Sequence, residues 1–138
     1  MSQYRAFIDG DSRGNPGPSG IGGVVYCGER KVFEISEYIG ETTNNVAEYT
    51  ALLSLLKNAL TKNIRTLHIC SDSQLLVFQL QGKYQVRHEH LIPLKREVDM
   101  LKKQFTAFTI EHIRRAYNKE ADALANRGID QKEGRDGY

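Results

Sequence analysis

The stretch RTLHICSDSQLLVFQL, residues 65–80, decides how the chain is read. Arg65–Cys70 is a short apolar run and predicts a central, parallel strand. At Ser71-Asp72-Ser73 the pattern breaks into capping residues, and Asp72–Leu80 predicts a short helix closed by Gly82. A strand handing over to a helix through an acidic residue belongs to an open α/β sheet. In such sheets ligands bind outside the carboxyl ends of the parallel strands, which is where Asp72 stands.

Upstream, three strands are predicted at close spacing: Tyr4–Asp9, Ile21–Cys27 and Lys31–Tyr38. The segment from Gly10 to Gly20 is rich in turn formers and excludes helix. The short connection Gly28-Glu29-Arg30 makes the first part an antiparallel meander. Tyr49, Leu52, Leu53, Leu56, Ala59 and Leu60 then recur at helical spacing and predict an amphipathic helix over Asn45–Thr61. Downstream, His90–Lys103 reads as a helix with Leu91, Leu94, Val98 and Leu101 on one face. Phe105–Ile113 reads as the last strand, and Asn118–Arg127 as a final helix with Gly128 as its stop. The order β-β-β-α-β-α-α-β-α predicts an α/β domain, a mixed sheet with helices on its faces. The domain is expected over residues 1–128, with a mobile polar tail over 129–138.

The chain has 138 residues, 40% hydrophobic and 26% charged, which fits one compact globular domain. It holds 19 Lys and Arg against 17 Asp and Glu, too balanced for a protein that holds nucleic acid by charge alone. No apolar run reaches membrane-spanning length, so no membrane partner is expected. The N-terminus has neither the basic start nor the apolar stretch of a secretory signal. Cys27 and Cys70 stand alone in apolar segments, with no disulfide framework or Cys-x-x-Cys motif. A cytoplasmic protein with two buried free thiols is expected.

Four acidic residues stand at element ends. Each has a bland reading: Asp9 as a turn residue, Glu48 as the partner of Asn45 in a capping box, Asp72 as an N-cap, and Asp122 as a charge favoured by its helix dipole. Their joint placement argues for more. Asp72 lies past the end of a parallel strand, Asp9 does too if its strand runs parallel to that one, and Glu48 and Asp122 lie near helix starts that can face the same edge. Clustered carboxylates raise each other's pKa, and divalent cations relieve the conflict. Paired ions of this kind recur in phosphodiester chemistry.

The motifs that carry these residues are Asp9-Gly10 followed by Gly14-Asn15-Pro16-Gly17, Thr42-Thr43-Asn44-Asn45 leading to Glu48, Ser71-Asp72-Ser73-Gln74, and Asn118-Lys119-Glu120-Ala121-Asp122-Ala123-Leu124-Ala125. In this order and spacing the chain resembles the type 1 ribonuclease H family, from about Arg5 to Arg127. The resemblance implies the ribonuclease H-like fold, a five-stranded mixed β-sheet with helices on both faces and its second strand antiparallel to its neighbours. It implies Mg²⁺- or Mn²⁺-dependent cleavage, with two ions per active site, of the RNA strand of an RNA/DNA hybrid, leaving 5′-phosphate and 3′-hydroxyl ends. Asp9, Glu48, Asp72 and Asp122 would be catalytic and would hold the metals. Asp9 would bridge both ions, Asp122 would serve the water side and Glu48 the leaving-group side. Asn15, Asn44, Asn45 and Gln74 match positions that read the sugar edge or minor groove, and Thr43 one that grips a phosphate of the DNA strand. Turn and cap chemistry is the alternative for all five.

The chain departs from the family pattern in three places. Asp11 stands where serine is frequent and is read as facing solvent. The loop before Asp122 carries no helper histidine. His112 falls within a strand pattern and is read as structural, which leaves Arg115, ahead of Arg114, as the candidate for the helper's catalytic product-release role. The basic helix-loop insertion of some relatives is replaced by residues 82–90, where Lys83, Tyr84 and Arg87 are the candidates for residual DNA contact. His88 and His90 make at most a weak metal pair. A double-stranded RNA nuclease or other nuclease of the same fold and an inactive nucleic-acid-binding module remain as rivals, and a monomer is expected. A phosphate loop at Gly14–Gly20 fails for want of a Gly-Lys-Ser/Thr ending, and a serine hydrolase for want of a nucleophile elbow.

Overall fold

The computed structural model describes residues 3–136. Five strands and four helices follow in the order β1 (Tyr4–Ser12), β2 (Gly17–Cys27), β3 (Arg30–Thr42), α1 (Asn44–Thr61), β4 (Thr66–Ser71), α2 (Gln74–Leu80), α3 (Ile92–Lys102), β5 (Ala107–His112) and α4 (Lys119–Asp136), with a 3₁₀ turn at Arg115–Tyr117 before α4. The sheet order is β3-β2-β1-β4-β5. β2 runs antiparallel to β1 and β3, and β1, β4 and β5 are parallel. The predicted mixed α/β sheet is thus the observed one. Asp9 and Asp72 both lie at the carboxyl end of the parallel set.

The alternation of β1 divides its side chains between two layers. Ala6 and Ile8 are buried in the core with Ile69 of β4 and with Leu52, Leu55 and Leu56 of α1. Asp9 points the other way, toward the side on which α4 packs over β1, β2 and β3. Glycines set how closely the helices approach. A Cβ on Gly10 would lie 2.2 Å from the Ala47 carbonyl carbon, so α1 rests on the bare backbone of β1. A Cβ on Gly22, the β2 residue paired with Asp9, would lie 2.3 Å from the Ala121 carbonyl oxygen. Both contacts bring a helix start close to Asp9, which Gly10 follows in β1 and which Gly22 faces across the strand pair.

Several boundaries differ from those predicted. The turn-former segment is mostly strand: β1 continues to Ser12 and β2 begins at Gly17, because cross-strand pairing overrides the turn propensity of glycine and serine. α1 is capped by Thr43, whose Oγ1 accepts from the Val46 N–H at 3.3 Å, so Asn45 and Glu48 form no capping box. α2 is capped by Ser73, not by Asp72. The final helix does not stop at Gly128. A Cβ there would sit 2.6 Å from the Glu37 carbonyl oxygen, so this glycine serves close packing on β3 while α4 continues to Asp136. The expected tail therefore begins as helix, and Gly137 and Tyr138 lie outside the described residues. Cys70 is buried, but Cys27 is only half-buried. No helix is long and apolar enough to cross a membrane among the described residues.

Candidate active site

Three of the four acidic residues meet directly. Asp9, Glu48 and Asp72 each offer a carboxylate oxygen, and these atoms lie within 4.8 Å of one another. Asp9 and Glu48 are buried, at 6% and 8% exposure, and Asp72 is half-buried. Glu48 is fixed because α1 lies on Gly10: its Oε1 accepts the Gly10 N–H at 2.5 Å. Asp122, in the first turn of α4, approaches Asp9 from the opposite layer, near enough to add to the rise in its pKa.

The electrostatics follow from this crowding. Burial, then the charges of Glu48 and Asp72, then the nearness of Asp122 push Asp9 up to about 9. Burial pushes Glu48 up to about 8, against the pull of the Gly10 N–H, with Asp72 and Asp11 adding to the rise. Without a counter-charge the cluster holds protons where isolated carboxylates would be ionised. All-oxygen, all-acidic donors converging from separate rigid elements fit hard divalent cations such as Mg²⁺ or Mn²⁺.

Two residues that the sequence reading left out of the site belong to it. Asn118, 1% exposed, donates through Nδ2 to the Ile8 carbonyl at 2.8 Å and to Asp72 Oδ2 at 3.3 Å. Its buried Oδ1 has no hydrogen-bond partner among the described residues. Ser73 caps α2 through its Oγ and stands near enough to Glu48 to lower its pKa against the effect of burial. Both sit in the quoted motifs, but their visible signal is that of helix caps. Asp11, read as solvent-facing, is half-buried and close enough to raise Glu48.

The expected substrate-reading residues lie in the turn after β1, at the start of α1 and at the start of α2. Asn44 Oδ1 accepts from the Ser12 N–H at 2.9 Å, and Asn15 Oδ1 accepts from the Asn44 N–H at 3.1 Å, so the turn after β1 is tied to the start of α1. Asn15, Asn45 and Gln74 are exposed, and Thr43 is half-buried at its cap. Arg115 is 80% exposed, with its guanidinium 3.9 Å from Asp122 Oδ1. Arg114 is exposed on the same loop. His112 ends β5 with its ring edge-on to Phe78. Lys83 lies over the Phe78 ring and Tyr84 meets it edge-on, while Arg87 donates to Gln85. The rings of His88 and His90 are 5.1 Å apart, but His88 Nδ1 accepts the His90 N–H and no third ligand joins them among the described residues.

The family model described as reverse transcriptase-like matches residues 7–128. The chain is 40% identical over 124 residues to a protein named as bifunctional from Mycobacterium tuberculosis, covering 88% of this chain and 34% of that protein. It is 38% identical over 129 residues to ribonuclease HI of Halobacterium salinarum, covering 93% of this chain and 65% of the relative. The crystal structure of that archaeal ribonuclease H1 matches with a TM-score of 0.90, over 94% of this chain and 98% of the other. LC11-RNase H1, solved in complex with an RNA/DNA hybrid, matches with a TM-score of 0.89 at 36% identity, over 94% of this chain and 99% of the other. The chain spans about a third of the length of the first of these relatives. A five-stranded mixed sheet with acidic residues gathered at the ends of its parallel strands defines the ribonuclease H-like class. Within that class, the chain belongs to the type 1 ribonuclease H family, in its short form.

Proposed function

We propose that this protein hydrolyses the RNA strand of RNA/DNA hybrids at the Asp9–Glu48–Asp72–Asp122 cluster, leaving 5′-phosphate and 3′-hydroxyl ends. The observation that carries the reading is the convergence of Asp9, Glu48 and Asp72 from β1, α1 and the end of β4, with donor oxygens within 4.8 Å of one another. The four carboxylates would hold two Mg²⁺ or Mn²⁺ ions. When bound, such ions supply a water that ionises near neutral pH and a counter-charge for the departing 3′ oxygen.

The chain's own residues hold and orient. Asn118 fixes the Asp72 carboxylate by donating to Oδ2 and anchors it to the Ile8 carbonyl of β1. The Gly10 N–H holds Glu48. Arg115, on an exposed loop beside Asp122, assists release of the 5′-phosphate product. Asn15, Thr43, Asn44, Asn45 and Gln74 suit the wide, shallow minor groove of a hybrid, where amides reach 2′-hydroxyls. The reading includes a monomer acting in the cytoplasm, where Cys27 and Cys70 would stay reduced.

Cleavage of a labelled hybrid, with matched RNA and DNA duplexes beside it, tests the reading in Mg²⁺, in Mn²⁺ and with chelator. Cutting confined to the RNA of the hybrid, requiring metal and lost in Asp72→Asn, is the expected result. Cutting of the RNA duplex instead would keep the chemistry and replace the substrate. Wild-type rates in Asp72→Asn would remove the assignment.

A further inference from the structure

Because α4 covers only β1–β3, the same face of the sheet is left open over β4 and β5. On that open face stand His68 and Cys70 of β4 and Thr109 and Glu111 of β5, in register as His68 with Thr109 and Cys70 with Glu111. His68 Nε2 lies 2.9 Å from Glu111 Oε1, and Cys70 Sγ 3.6 Å from the same oxygen. One nitrogen, one sulfur and one carboxylate oxygen fall within 4.8 Å of one another, in a group that shares no residue with the acidic cluster.

We propose that His68, Cys70 and Glu111 form a second metal site, for a borderline-soft divalent ion such as Zn²⁺. Around a tetrahedral zinc, with bonds of about 2.0–2.3 Å, ligand atoms lie roughly 3.3–3.8 Å apart. The Cys70–Glu111 separation falls within that spacing and the His68–Glu111 separation just below it, so a small side-chain rotation admits the ion. The three ligands stand on adjacent paired strands, which fix their backbones. Thr109 supplies the outer contact: its Oγ1 lies 2.6 Å from His68 Nδ1. A hydroxyl can donate to Nδ1 when Nε2–H faces Glu111, and accept from Nδ1–H when Nε2 turns to a metal. Glu111 is half-exposed and His68 a third exposed, which gives an ion access and leaves the fourth position to water.

On binding, the S–H bond of Cys70 is replaced by an S–Zn bond and the proton goes to solvent. Arg5, beside Cys70 and Glu111, offsets one of the two negative charges and leaves the site with one in excess. Sulfur and imidazole select against Mg²⁺, which goes to the all-oxygen cluster. The site stands whether or not the carboxylate cluster cuts nucleic acid.

Co²⁺ is the probe, because cobalt bound to thiolate absorbs in the near ultraviolet and cobalt bound only to oxygen does not. The wild type, titrated in excess Mg²⁺, is expected to develop this band at one equivalent and lose it to Zn²⁺. Cys27→Ser keeps the band and Cys70→Ser lacks it. His68→Ala and Glu111→Gln bind more weakly, and Thr109→Val lowers affinity by about 10–100-fold. Zn²⁺ should also raise the unfolding temperature of the wild type but not of His68→Ala, whose change is near the surface and leaves folding intact. No band at saturating Co²⁺, or a band with unchanged affinity in Cys70→Ser or His68→Ala, overturns the site.

Discussion

At the scale of single residues, the site is held together against its own charge. Asp9 and Glu48 have values of about 9 and about 8 in the folded chain, and an unfolded carboxyl titrates near about 4. The folded protein therefore binds protons more tightly than the unfolded one. That preference is fully present below about pH 4 and is lost as pH rises through about 8 to 9. With chelator present, the urea midpoint is expected to fall between pH 5 and 9, and divalent cation should flatten the decline. Asp9→Asn removes the most perturbed group, so it should stabilise the metal-free protein while abolishing cleavage. Each 1 kcal/mol relieved corresponds to roughly 3–6 °C in a domain of this size. A metal-free profile that is flat, or a variant less stable than the wild type, would mean that the carboxylates are not in conflict.

Asn118 makes the complementary case. Its Nδ2 satisfies the Ile8 carbonyl within the core side of the site, so Asn118→Ala leaves a buried acceptor unpaired, at a cost of about 1–3 kcal/mol. The same change frees Asp72, so turnover should drop more than substrate affinity. Urea unfolding and a kcat against KM comparison would check the two effects separately. The four carboxylates were legible because each stands at the end of a patterned element within a motif. Asn118 and Ser73 were not, because a cap and an orienting group use the same residue types and only the fold says which groups lie within reach.

At the scale of elements, glycine carries two meanings that a sequence does not separate. Gly82, with φ 78°, ends its helix region as its position predicted. Gly128 was read the same way, yet it lies inside α4 pressed on β3. In an exposed helix a Gly→Ala change gains about 1 kcal/mol. Here the added methyl would meet the Glu37 backbone, so Gly128→Ala should lower the unfolding temperature. A gain in stability would show that α4 can lift from β3 without loss. The strands at either side of the Gly14–Gly17 turn were under-read for a similar reason: Gly10, Gly17 and Gly20 lack strand propensity but pair across the sheet.

Across the whole molecule, charge is nearly balanced, and the exposed loop between α2 and α3 offers Lys83 and Arg87 as its lysine and arginine. Hybrid affinity is expected to be weak and to fall steeply as salt rises, since few phosphates are neutralised. A binding titration from low to physiological salt would test this, and tight association insensitive to salt would defeat it. A mixed sheet with helices on its faces could be read from periodicity, since three meander strands followed by alternating strands and helices leave few topologies; the five-stranded sheet with its second strand antiparallel came from the family resemblance, and the strand order from the structure.

The four carboxylates sit on β1, α1, the end of β4 and α4, so the site spans the chain from near its beginning to near its end. A growing polypeptide therefore carries three of them early and lacks the fourth until α4 has left the ribosome. A cut in the loop between α2 and α3 would leave three of the carboxylates on one half and Asp122 on the other, so that the set of four is whole only where the two halves meet.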